Sequence, residues 1–355
     1  MSGTPPLGII EGYYGRPWPA EDRLALIADL APLGFSFFIH APKADPYLRR
    51  RWRDDHPEAE KRALIDLSEA CAKLGVGFGV GLSPYEIYLG FDDAAKTALA
   101  RKLAWFDEIR VTDLAILFDD MRGDLPDLAA KQAEILHWIL ARTAARRLIT
   151  CPTYYSDDPV LDRVFGARPA GYLDQLGREL DVKIDVFWTG AEVCSREYSA
   201  ANLDRVAAQL RRPPVLWDNY PVNDGPIMSR YLHLRAVTGR SGLAGHVRAH
   251  AVNPANQPTL SRIPARTLAD AYRLGPDYDY GVAWLGAAQA VLGDDLAAMV
   301  ERHLYFFQQT GLDRLGDTAG RLRERYSGFD HPAAREILGW LDGAYDVTRE
   351  AVDAS

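Results

Sequence analysis

The sequence predicts an α/β fold in which eight parallel strands and the helices between them close into a (β/α)8 TIM barrel with a C-terminal helical extension. Short apolar segments typical of buried strands recur at intervals of roughly 30 to 40 residues, separated by stretches with helical periodicity. The residues that follow each strand are polar or aromatic and carry Gly or Pro, whereas the opposite connections are plain. In a barrel the carboxyl ends of all strands meet on one face, where active sites form. The asymmetry therefore predicts an enzyme.

The predicted strands are apolar segments that begin near Leu7, Ser36, Val76, Asp113, Arg147, Val182, Pro214 and Gly245. The last of them, Gly245–His250, is unusually polar, and we assign it by its place in the order. Between the strands, apolar residues recur three and four positions apart, as in a helix packed on a sheet. The clearest stripes contain Leu24, Ile27, Ala28 and Ala31; Leu64, Leu67, Cys71 and Leu74; Ile135, Trp138 and Ile139; and Leu203, Val206, Ala207 and Leu210.

Beyond residue 257 the pattern turns helical. Leu268–Leu274 can supply the eighth barrel helix, and further helices are predicted at Val282–Leu292, Asp295–Gln309 and Ala333–Val352. We therefore divide the chain into a catalytic barrel at residues 1–280 and a C-terminal helical region at residues 281–355. This helical region could pack on the barrel or form a homodimer contact, and the sequence leaves both open.

Composition narrows the class of partner. The chain has 355 residues, with 41 basic against 49 acidic residues and a net charge of −8, which argues against nucleic acid or an anionic membrane as the main partner. No stretch approaches the ~20 apolar residues of a membrane span. The N-terminus lacks the features of a signal peptide, so we expect a cytoplasmic protein. Cys71, Cys151 and Cys194 match no zinc spacing and are expected to be free thiols.

A pair of adjacent carboxylates is the most informative feature. The apolar run Leu114–Phe118 leads directly into Asp119 and Asp120. Adjacent strand residues face opposite ways, so both carboxylates can serve one site only where the strand breaks into a loop. Crowded carboxyl groups push each other's pKa values apart, which suits acid–base catalysis. Taken alone, such a pair is more typical of a helix N-cap or a solvated turn.

The other strand ends change that interpretation, because their motifs resemble glycoside hydrolase family 84, the family of O-GlcNAcases and bacterial β-N-acetylglucosaminidases. The resemblance covers about residues 7 to 290 and rests on the order of Gly8–Trp18, Ala41–Lys43, Leu117–Asp120, Cys151–Thr153, Trp188–Gly190, Trp217–Asn219, Asn223–Asp224 and Asn253–Pro254. It implies a (β/α)8 barrel that removes terminal β-linked N-acetylglucosamine with retention of configuration. The 2-acetamido oxygen of the substrate would attack, forming an oxazoline, which is a recognised exception to the two-carboxylate scheme. No cofactor is implied.

The resemblance also implies a role for each matched residue. Asp119 would accept a hydrogen bond from the acetamido N–H and must be ionised. Asp120 would be the general acid and base, with a pKa raised by its neighbour and by partial burial. The implied substrate-binding residues are Tyr155 and Asn219 near the acetamido group; Cys151, Thr189, Val193 and Trp217 around its methyl; Asp224 on the O4 and O6 hydroxyls; and Lys43, Asn253 and the Gly12 carbonyl on further hydroxyls. Tyr154 and Ala44 depart from acidic residues common in the family, which affects the pocket rim.

Two other functions remain open. Asp119, Asp120 and Asp124 could be oxygen ligands of Mg²⁺ in a metal-dependent barrel hydrolase. The chain could also be a carbohydrate-binding protein without catalysis. We interpret His40, His246 and His250 as ordinary polar or packing residues, and the basic run Arg49, Arg50, Arg51 and Arg53 as a solvated face. The natural substrate stays open among protein-linked O-GlcNAc, glycan ends and hyaluronan fragments.

Overall fold

The computed structural model describes residues 3–349, and its centre is a closed barrel of eight parallel strands in sequence order. The barrel predicted from the sequence is therefore confirmed. Its strands are β1 (Leu7–Glu11), β2 (Phe35–His40), β3 (Gly77–Leu82), β4 (Asp113–Leu117), β5 (Arg147–Cys151), β6 (Ile184–Trp188), β7 (Val215–Asp218) and β8 (Ala249–Val252). Every residue of β1, β4, β6, β7 and β8 is buried, because the barrel interior covers one strand face and the helices cover the other.

Strand β8 begins four residues later than predicted, at Ala249 rather than Gly245. It closes the barrel through parallel pairing of Leu7 with His250. The polar character that blurred the prediction has a structural cause. The fully buried His250 lies with Nε2 3.0 Å from Asp218 Oδ2 and Nδ1 2.9 Å from the Tyr272 hydroxyl. Both ring nitrogens are thus satisfied, so an imidazole is tolerated in a core strand.

The helices follow the predicted stripes. They are α1 (Ala20–Leu30), α2 (Glu58–Lys73), α3 (Asp93–Glu108), α4 (Leu128–Leu140), α5 (Val160–Phe165), α6 (Tyr172–Glu179), α7 (Ala200–Leu210), α8 (Pro258–Leu274), α9 (Tyr280–Leu292), α10 (Asp294–Tyr305), α11 (Thr318–Tyr326) and α12 (Pro332–Leu341). In α2, for example, Leu64, Leu67 and Cys71 are buried, and the chain leaves the helix at Gly75 with φ of 70°. Between β7 and β8 lies a long irregular connection, residues 219–248, with a single 3-10 turn at Met228–Arg230.

The helices after α8 have a hydrophobic core of their own. Trp284, Val300 and Trp340 pack with Leu234 of the β7–β8 connection and with Ile263 of α8. The proposed division at residue 280 stays a prediction, and this core draws residues from both sides of it. Within residues 3–349, none of the helices has the length and apolar content of a membrane span.

A buried carboxylate joins the last helix to the barrel. Glu336 of α12 accepts the backbone N–H of Thr259 at 2.8 Å and that of Leu260 at 2.9 Å, two of the unpaired donors at the start of α8. Burial raises the pKa of Glu336 to about 7. The prediction that this helix continues to Val352 is wrong beyond Leu341, where the chain enters turns with Gly343 at φ of 75°. Residues 350–352 of that prediction lie outside the described residues.

Candidate active site

The carboxyl ends of the strands surround one cavity of about 250 Å³, here called the strand-end pocket. All the site residues predicted from the sequence line it: Gly12, Lys43, Asp119, Asp120, Cys151, Tyr155, Thr189, Val193, Trp217, Asn219, Asp224 and Asn253. The structure adds Tyr14, Cys194, Val222, Gly225 and Pro226 to the lining. Residues from the ends of seven strands thus meet in one place, and only the β3 end contributes none.

The backbone explains how two adjacent aspartates reach the same pocket. The Phe118 N–H still donates to the Cys151 carbonyl at 2.9 Å, so pairing between neighbouring strands continues one residue beyond β4. Asp120 then takes φ of 56°, a left-handed conformation that is uncommon for a residue other than glycine. The chain turns at this point, and both carboxylates contact the same ammonium group. The structure therefore contains the feature that the sequence predicts: strand β4 gives way to a loop at the two aspartates.

Lys43 provides that ammonium group. Its Nζ forms a short contact with Asp119 Oδ2 and lies 3.2 Å from Asp120 Oδ2. The side chain is only 4% exposed, so this cation shares a water-poor environment with two anions. The other carboxylate oxygen, Asp119 Oδ1, is buried and has no hydrogen-bond partner within the described residues. A buried acceptor of this kind is unfavourable unless a ligand supplies the donor.

Asp120 is surrounded by two residues that sequence reasoning did not assign to the site. The Tyr14 hydroxyl donates to Asp120 Oδ2 at 2.7 Å, and Arg49 donates to the Tyr14 hydroxyl at 2.9 Å. Arg49 is 4% exposed and its guanidinium lies over the Tyr14 and Tyr85 rings, so the prediction of a solvated face is wrong for this arginine. The carboxylates and rings that replace water around its charge could not be inferred from a basic run alone.

Burial acts to raise the pKa of both aspartates, but their neighbours separate the two groups. For Asp119 burial prevails and the pKa is raised, with Lys43 opposing it and the charge of Asp120 adding to it. For Asp120, Lys43, Arg49 and the Tyr14 hydroxyl outweigh burial and lower the pKa. The contacts explain this order, because Asp119 has the Lys43 ammonium as its donor, whereas Asp120 has both Lys43 and the Tyr14 hydroxyl, with the Arg49 charge nearby. With Lys43 in this position, Asp119 takes up a proton more readily than Asp120 does. The sequence predicts the reverse order, with the raised pKa at Asp120.

A chain of amides fixes the opposite wall of the pocket. Asn219 Oδ1 accepts from Trp217 Nε1 and from Asn253 Nδ2, each at 2.9 Å, and Asn219 Nδ2 donates to the Val193 carbonyl at 2.8 Å. The Gly12 N–H donates to Asn253 Oδ1 at 3.2 Å. These bonds determine the orientation of both amides, and one hydrogen of each Nδ2 remains for a ligand.

Gly12 itself is required by close approach. A Cβ at this position would lie 2.4 Å from a ring carbon of Trp217, which real side chains do not tolerate. The indole therefore rests directly against the backbone that follows β1, and Gly12 lines the pocket. The packing of Trp217 thus explains why this position requires glycine, without reference to the family.

Asp224 lies on the β7–β8 connection and accepts the Tyr14 N–H at 2.9 Å. Burial raises the pKa of this carboxyl to about 7, partly opposed by the bond from Tyr14. Asp224 therefore takes up a proton at higher pH than an exposed aspartate. Its Oδ2 is held by the backbone N–H of Tyr14, and the residue lines the pocket.

A buried ion pair supports the loop that carries Val193. Arg240 donates to both oxygens of Asp218, at 3.0 and 2.8 Å, and its remaining donors reach the carbonyls of Ser195 at 2.9 Å and of Arg196. Burial opposes the shift, but Arg240 holds the pKa of Asp218 far below its usual range. Arg240 therefore links the β6–α7 loop to the end of β7, the part of the chain that carries Trp217 and Asn219.

The ligand set of a metal-dependent hydrolase is not brought together. Asp124 does not line the pocket and pairs instead with Arg122 at the surface. Within residues 3–349 the acidic and histidine side chains that lie close enough for one cation are Asp45, His56 and Glu60, a different set. The two departures from the family pattern, Tyr154 and Ala44, also lie outside the pocket lining.

Comparison with known proteins agrees with this geometry. A family model described as beta-N-acetylglucosaminidase matches residues 7–307. The Protein O-GlcNAcases of Mus musculus and Rattus norvegicus are each 28% identical to the chain over 276 residues, which is 75% of this chain and 30% of each relative. The chain thus spans about 30% of the length of these curated relatives.

Solved structures give the same result. A mutant of the Thermobaculum terrenum O-GlcNAc hydrolase is 31% identical, with a TM-score of 0.79 over 94% of this chain and 80% of that chain. The structure of CpGH84B is 26% identical, with a TM-score of 0.73 over 90% of this chain and 61% of that chain. Since the family model extends over most of the sequence, the chain belongs to the beta-N-acetylglucosaminidase family, glycoside hydrolase family 84.

Proposed function

We propose that the chain is a retaining exo-β-N-acetylglucosaminidase that removes terminal β-linked N-acetylglucosamine, including from Ser and Thr of proteins. The observation that carries the mechanism is Asp119 Oδ1, a buried acceptor without a partner among the described residues. The N–H of a 2-acetamido group is a donor that would satisfy it. A carboxylate bonded there orients the acetamido oxygen toward the anomeric carbon and stabilises the positive charge that develops as the ring closes.

The proposed first step forms one bond and breaks one. The acetamido oxygen attacks C1, the bond from C1 to the leaving oxygen breaks, and Asp120 gives its proton to that oxygen. An oxazolinium ion remains, with its N–H donated to Asp119, and transfer of that proton to Asp119 gives the neutral oxazoline. In the second step Asp119 returns the proton to nitrogen, Asp120 takes a proton from water, the water oxygen bonds to C1, and the bond from C1 to the former acetamido oxygen breaks, which restores the acetamido group. Two displacements at C1 retain the configuration.

Asp120 needs a proton before the first step, but in the structure Lys43 and the Tyr14 hydroxyl lower its pKa and so favour the ionised form. We propose that the substrate changes this balance. A sugar hydroxyl that accepts from Lys43 Nζ would draw the ammonium away from Asp120, and the sugar would displace water from around the carboxyl. Both changes favour the neutral form of Asp120, and the acetamido N–H donated to Asp119 Oδ1 favours the ionised form of Asp119, so the bound substrate shifts the proton of the pair to Asp120. Lys43 would then have a second role besides binding a hydroxyl.

The remaining walls suit a single sugar. Cys151, Thr189 and Trp217 form an apolar slot of the size of an acetyl methyl, and Asn219 offers an amide hydrogen beside it. Asp224, Asn253 and the Gly12 carbonyl provide acceptors and donors for ring hydroxyls. The volume of about 250 Å³ lies just under the usual range of ligand pockets, which begins near ~300 Å³, and this favours removal of one terminal residue.

The relatives support protein-linked O-GlcNAc as substrate, since two of them are named Protein O-GlcNAcase and one an O-GlcNAc hydrolase. The proposed partners are therefore glycoproteins and glycopeptides, and a cytoplasmic location would suit them. A homodimer through the C-terminal helices remains a proposal from the sequence.

The test is hydrolysis of a Ser-linked O-GlcNAc peptide beside a matched GlcNAc-terminated oligosaccharide and an aryl GlcNAc glycoside. We expect all three to release GlcNAc, with the peptide preferred over the oligosaccharide by kcat/KM. A thiazoline analogue of the sugar should inhibit far more tightly than free GlcNAc, because it resembles the oxazoline. Binding of GlcNAc without turnover of any of the three would instead indicate a carbohydrate-binding protein.

A further inference from the structure

A second cavity of about 880 Å³ lies beside the strand-end pocket and shares Cys194 and Asn219 with it. Its walls come from the β6–α7 loop, from the β7–β8 connection and from the segment that follows α10. The volume falls within the range that accommodates extended ligands. The mechanism proposed above makes no use of this space.

The wall of this cavity is rich in arginine, and we call it the arginine cavity. Its charged or titratable lining residues are Glu192, Arg196, His233, Arg235, Arg240 and Arg314, together with Cys194, Tyr220, Tyr231 and Tyr280. Only Arg240 is neutralised, through its pair with Asp218. Within residues 3–349 Arg196, Arg235 and Arg314 form no salt bridge with a carboxylate, and Glu192 is the single acidic residue in the lining. A net positive cavity is unexpected in a chain of net charge −8.

Neutral groups hold the guanidinium of Arg314 and the backbone of Arg235. Arg314 donates to the carbonyls of Thr310 at 2.8 Å and Gln309 at 2.7 Å, which position its guanidinium without cancelling its charge. The backbone N–H of Arg235 donates to Gln308 Oε1 at 3.3 Å. Burial lowers the pKa of His233, so this imidazole neither adds to nor subtracts from the charge near neutral pH. The arrangement favours an anionic ligand.

We propose that the arginine cavity binds acidic residues of the peptide to which the sugar is attached. This inference rests on the proposed function. A terminal sugar that fills the strand-end pocket leaves its attached chain to run outward, and the arginine cavity adjoins that pocket, since both are lined by Cys194 and Asn219. Carboxylates a few residues from the glycosylated serine would reach guanidinium groups that have no acidic partner of their own.

The tyrosine rings favour a peptide over an acidic glycan as the occupant. Sugars bind to open aromatic faces, but the Tyr220 ring is stacked on His233, with centroids 5.8 Å apart and planes at 13°. One face of Tyr231 is covered by Gly311, where an added Cβ would lie 2.6 Å from the ring. Tyr280 is the more open ring, at 40% exposed, and the guanidinium groups together with the side-chain amide of Gln309 suit carboxylates and backbone amides.

The test uses three glycopeptides that carry Glu, Gln or Lys on both sides of the same O-GlcNAc serine. We expect kcat/KM for the Glu peptide to exceed that for the Gln peptide by about 3- to 10-fold, with the Lys peptide lowest. In 0.5 M NaCl the preference should fall below about 2-fold, because charge interactions in an open cavity are screened. Equal kcat/KM for the three peptides at low salt would overturn the proposal.

Variants assign the preference to this cavity. Arg235→Gln and Arg196→Gln should each reduce the Glu-to-Gln ratio by about 2- to 3-fold, and the double variant should bring it close to one. Arg62→Gln, on the exposed face of α2, is the matched control and should keep the full ratio. An unchanged ratio in the double variant would show that the preference arises elsewhere, against the proposal.

Two further substrates separate this inference from the function on which it rests. If the aryl glycoside and the Gln peptide are hydrolysed but charge has no effect, the proposed function stands and the arginine cavity is not an acidic-peptide site. If no peptide is hydrolysed, the proposed function itself fails. A uronate-linked GlcNAc disaccharide preferred over its neutral counterpart, without any preference among the peptides, would assign the cavity to an acidic glycan and overturn the proposal.

Discussion

The strand-end pocket and the arginine cavity adjoin each other, yet they hold charge in opposite ways. In the pocket the charges around the two aspartates are paired: Lys43 lies between Asp119 and Asp120, and Arg49 donates to the Tyr14 hydroxyl. In the cavity Arg196 and Arg235 have no carboxylate to pair with in the part of the chain that the structure describes. The pocket is built from strand ends, whereas loops and helical segments build the cavity.

This difference in charge pairing suggests that the strand-end pocket carries out the reaction and that the arginine cavity recognises the substrate peptide. Paired, desolvated charges keep a fixed geometry and are little affected by salt, which suits a reaction in which a proton moves over a short distance. Unpaired charges in an open cavity act at longer range and tolerate several ligand positions, which suits peptides of differing sequence. Variants in the two regions should therefore differ in kind as well as in size.

The largest effects are expected at the two aspartates. Asp120→Asn should reduce kcat by about 10²–10⁴-fold on glycosides with poor leaving groups and spare the first step with good ones, because general acid catalysis is then dispensable. Asp119→Asn should impair cleavage whatever the leaving group. Rates plotted against leaving-group pKa test this, with the surface variant Asp124→Asn as control. Matching profiles for the two variants would defeat the role assignment.

The next effect concerns Arg240, which lines the arginine cavity and holds the β6–α7 loop against the end of β7. Arg240→Met leaves Asp218 buried with its contact to His250 but without its guanidinium partner, which should lower the free energy of unfolding by about 3–5 kcal/mol. Chemical denaturation measures this, with Arg62→Met as the exposed control. A loss below about 1 kcal/mol would mean that the contact with His250 is enough to stabilise the buried carboxylate.

A pH effect should appear in the pocket and not in the cavity. Burial raises the pKa of Asp224 to about 7, so this carboxyl gains a proton as the pH falls through that value and loses its capacity to accept two hydroxyl donors. We expect kcat/KM for an aryl GlcNAc glycoside to fall by up to about tenfold per pH unit below 7, mainly through KM. Asp224→Asn should be weaker throughout and should lack this inflection. An inflection that persists in Asp224→Asn would assign it to another group.

The smallest effect is the response to salt. Raising NaCl from 0.05 to 0.5 M should reduce kcat/KM for the Glu-flanked glycopeptide by about 3-fold and leave the uncharged aryl glycoside within experimental error, since only the former relies on the cavity. Equal salt responses for both substrates would place the sensitive charges in the strand-end pocket and remove the distinction drawn above.

The sequence predicted the candidate site well because its residues lie near the carboxyl ends of the strands. Most predicted site residues lie in short motifs directly after an apolar run, and parallel strands bring such motifs together. Tyr155, Val193 and Asp224 lie a few residues further along the loops that follow β5, β6 and β7. Tyr14 lies inside one of these motifs and could have been found by asking which side chain there has a hydroxyl near the carboxylates. Arg49 could not, because its burial depends on rings and charges from three separate segments.

The arginine cavity and the order of the aspartate pKa values were beyond sequence reasoning for the same reason. Arg196, Arg235 and Arg314 are far apart in the chain and carry no motif; two neighbouring barrel loops carry the first two, and the segment after α10 brings Arg314 to the same wall. The lowered pKa of Asp120 depends on where the Lys43 ammonium lies between two carboxylates, which no spacing rule provides. The end of α12 was missed because the apolar stripe continues past Gly343, where the backbone leaves the helix.

The contact of Glu336 with the start of α8 limits how this family's modules can be exchanged. Helix α8 begins just after the loop that contains Asn253 and Asn256, so the acid from α12 stabilises the segment that leads out of the pocket. A chimera that joins this barrel to a foreign helical tail would have to supply a carboxylate at the same point, or two amide hydrogens would be buried without acceptors. Grafting experiments should therefore treat the tail as part of the catalytic framework and transfer it together with the barrel.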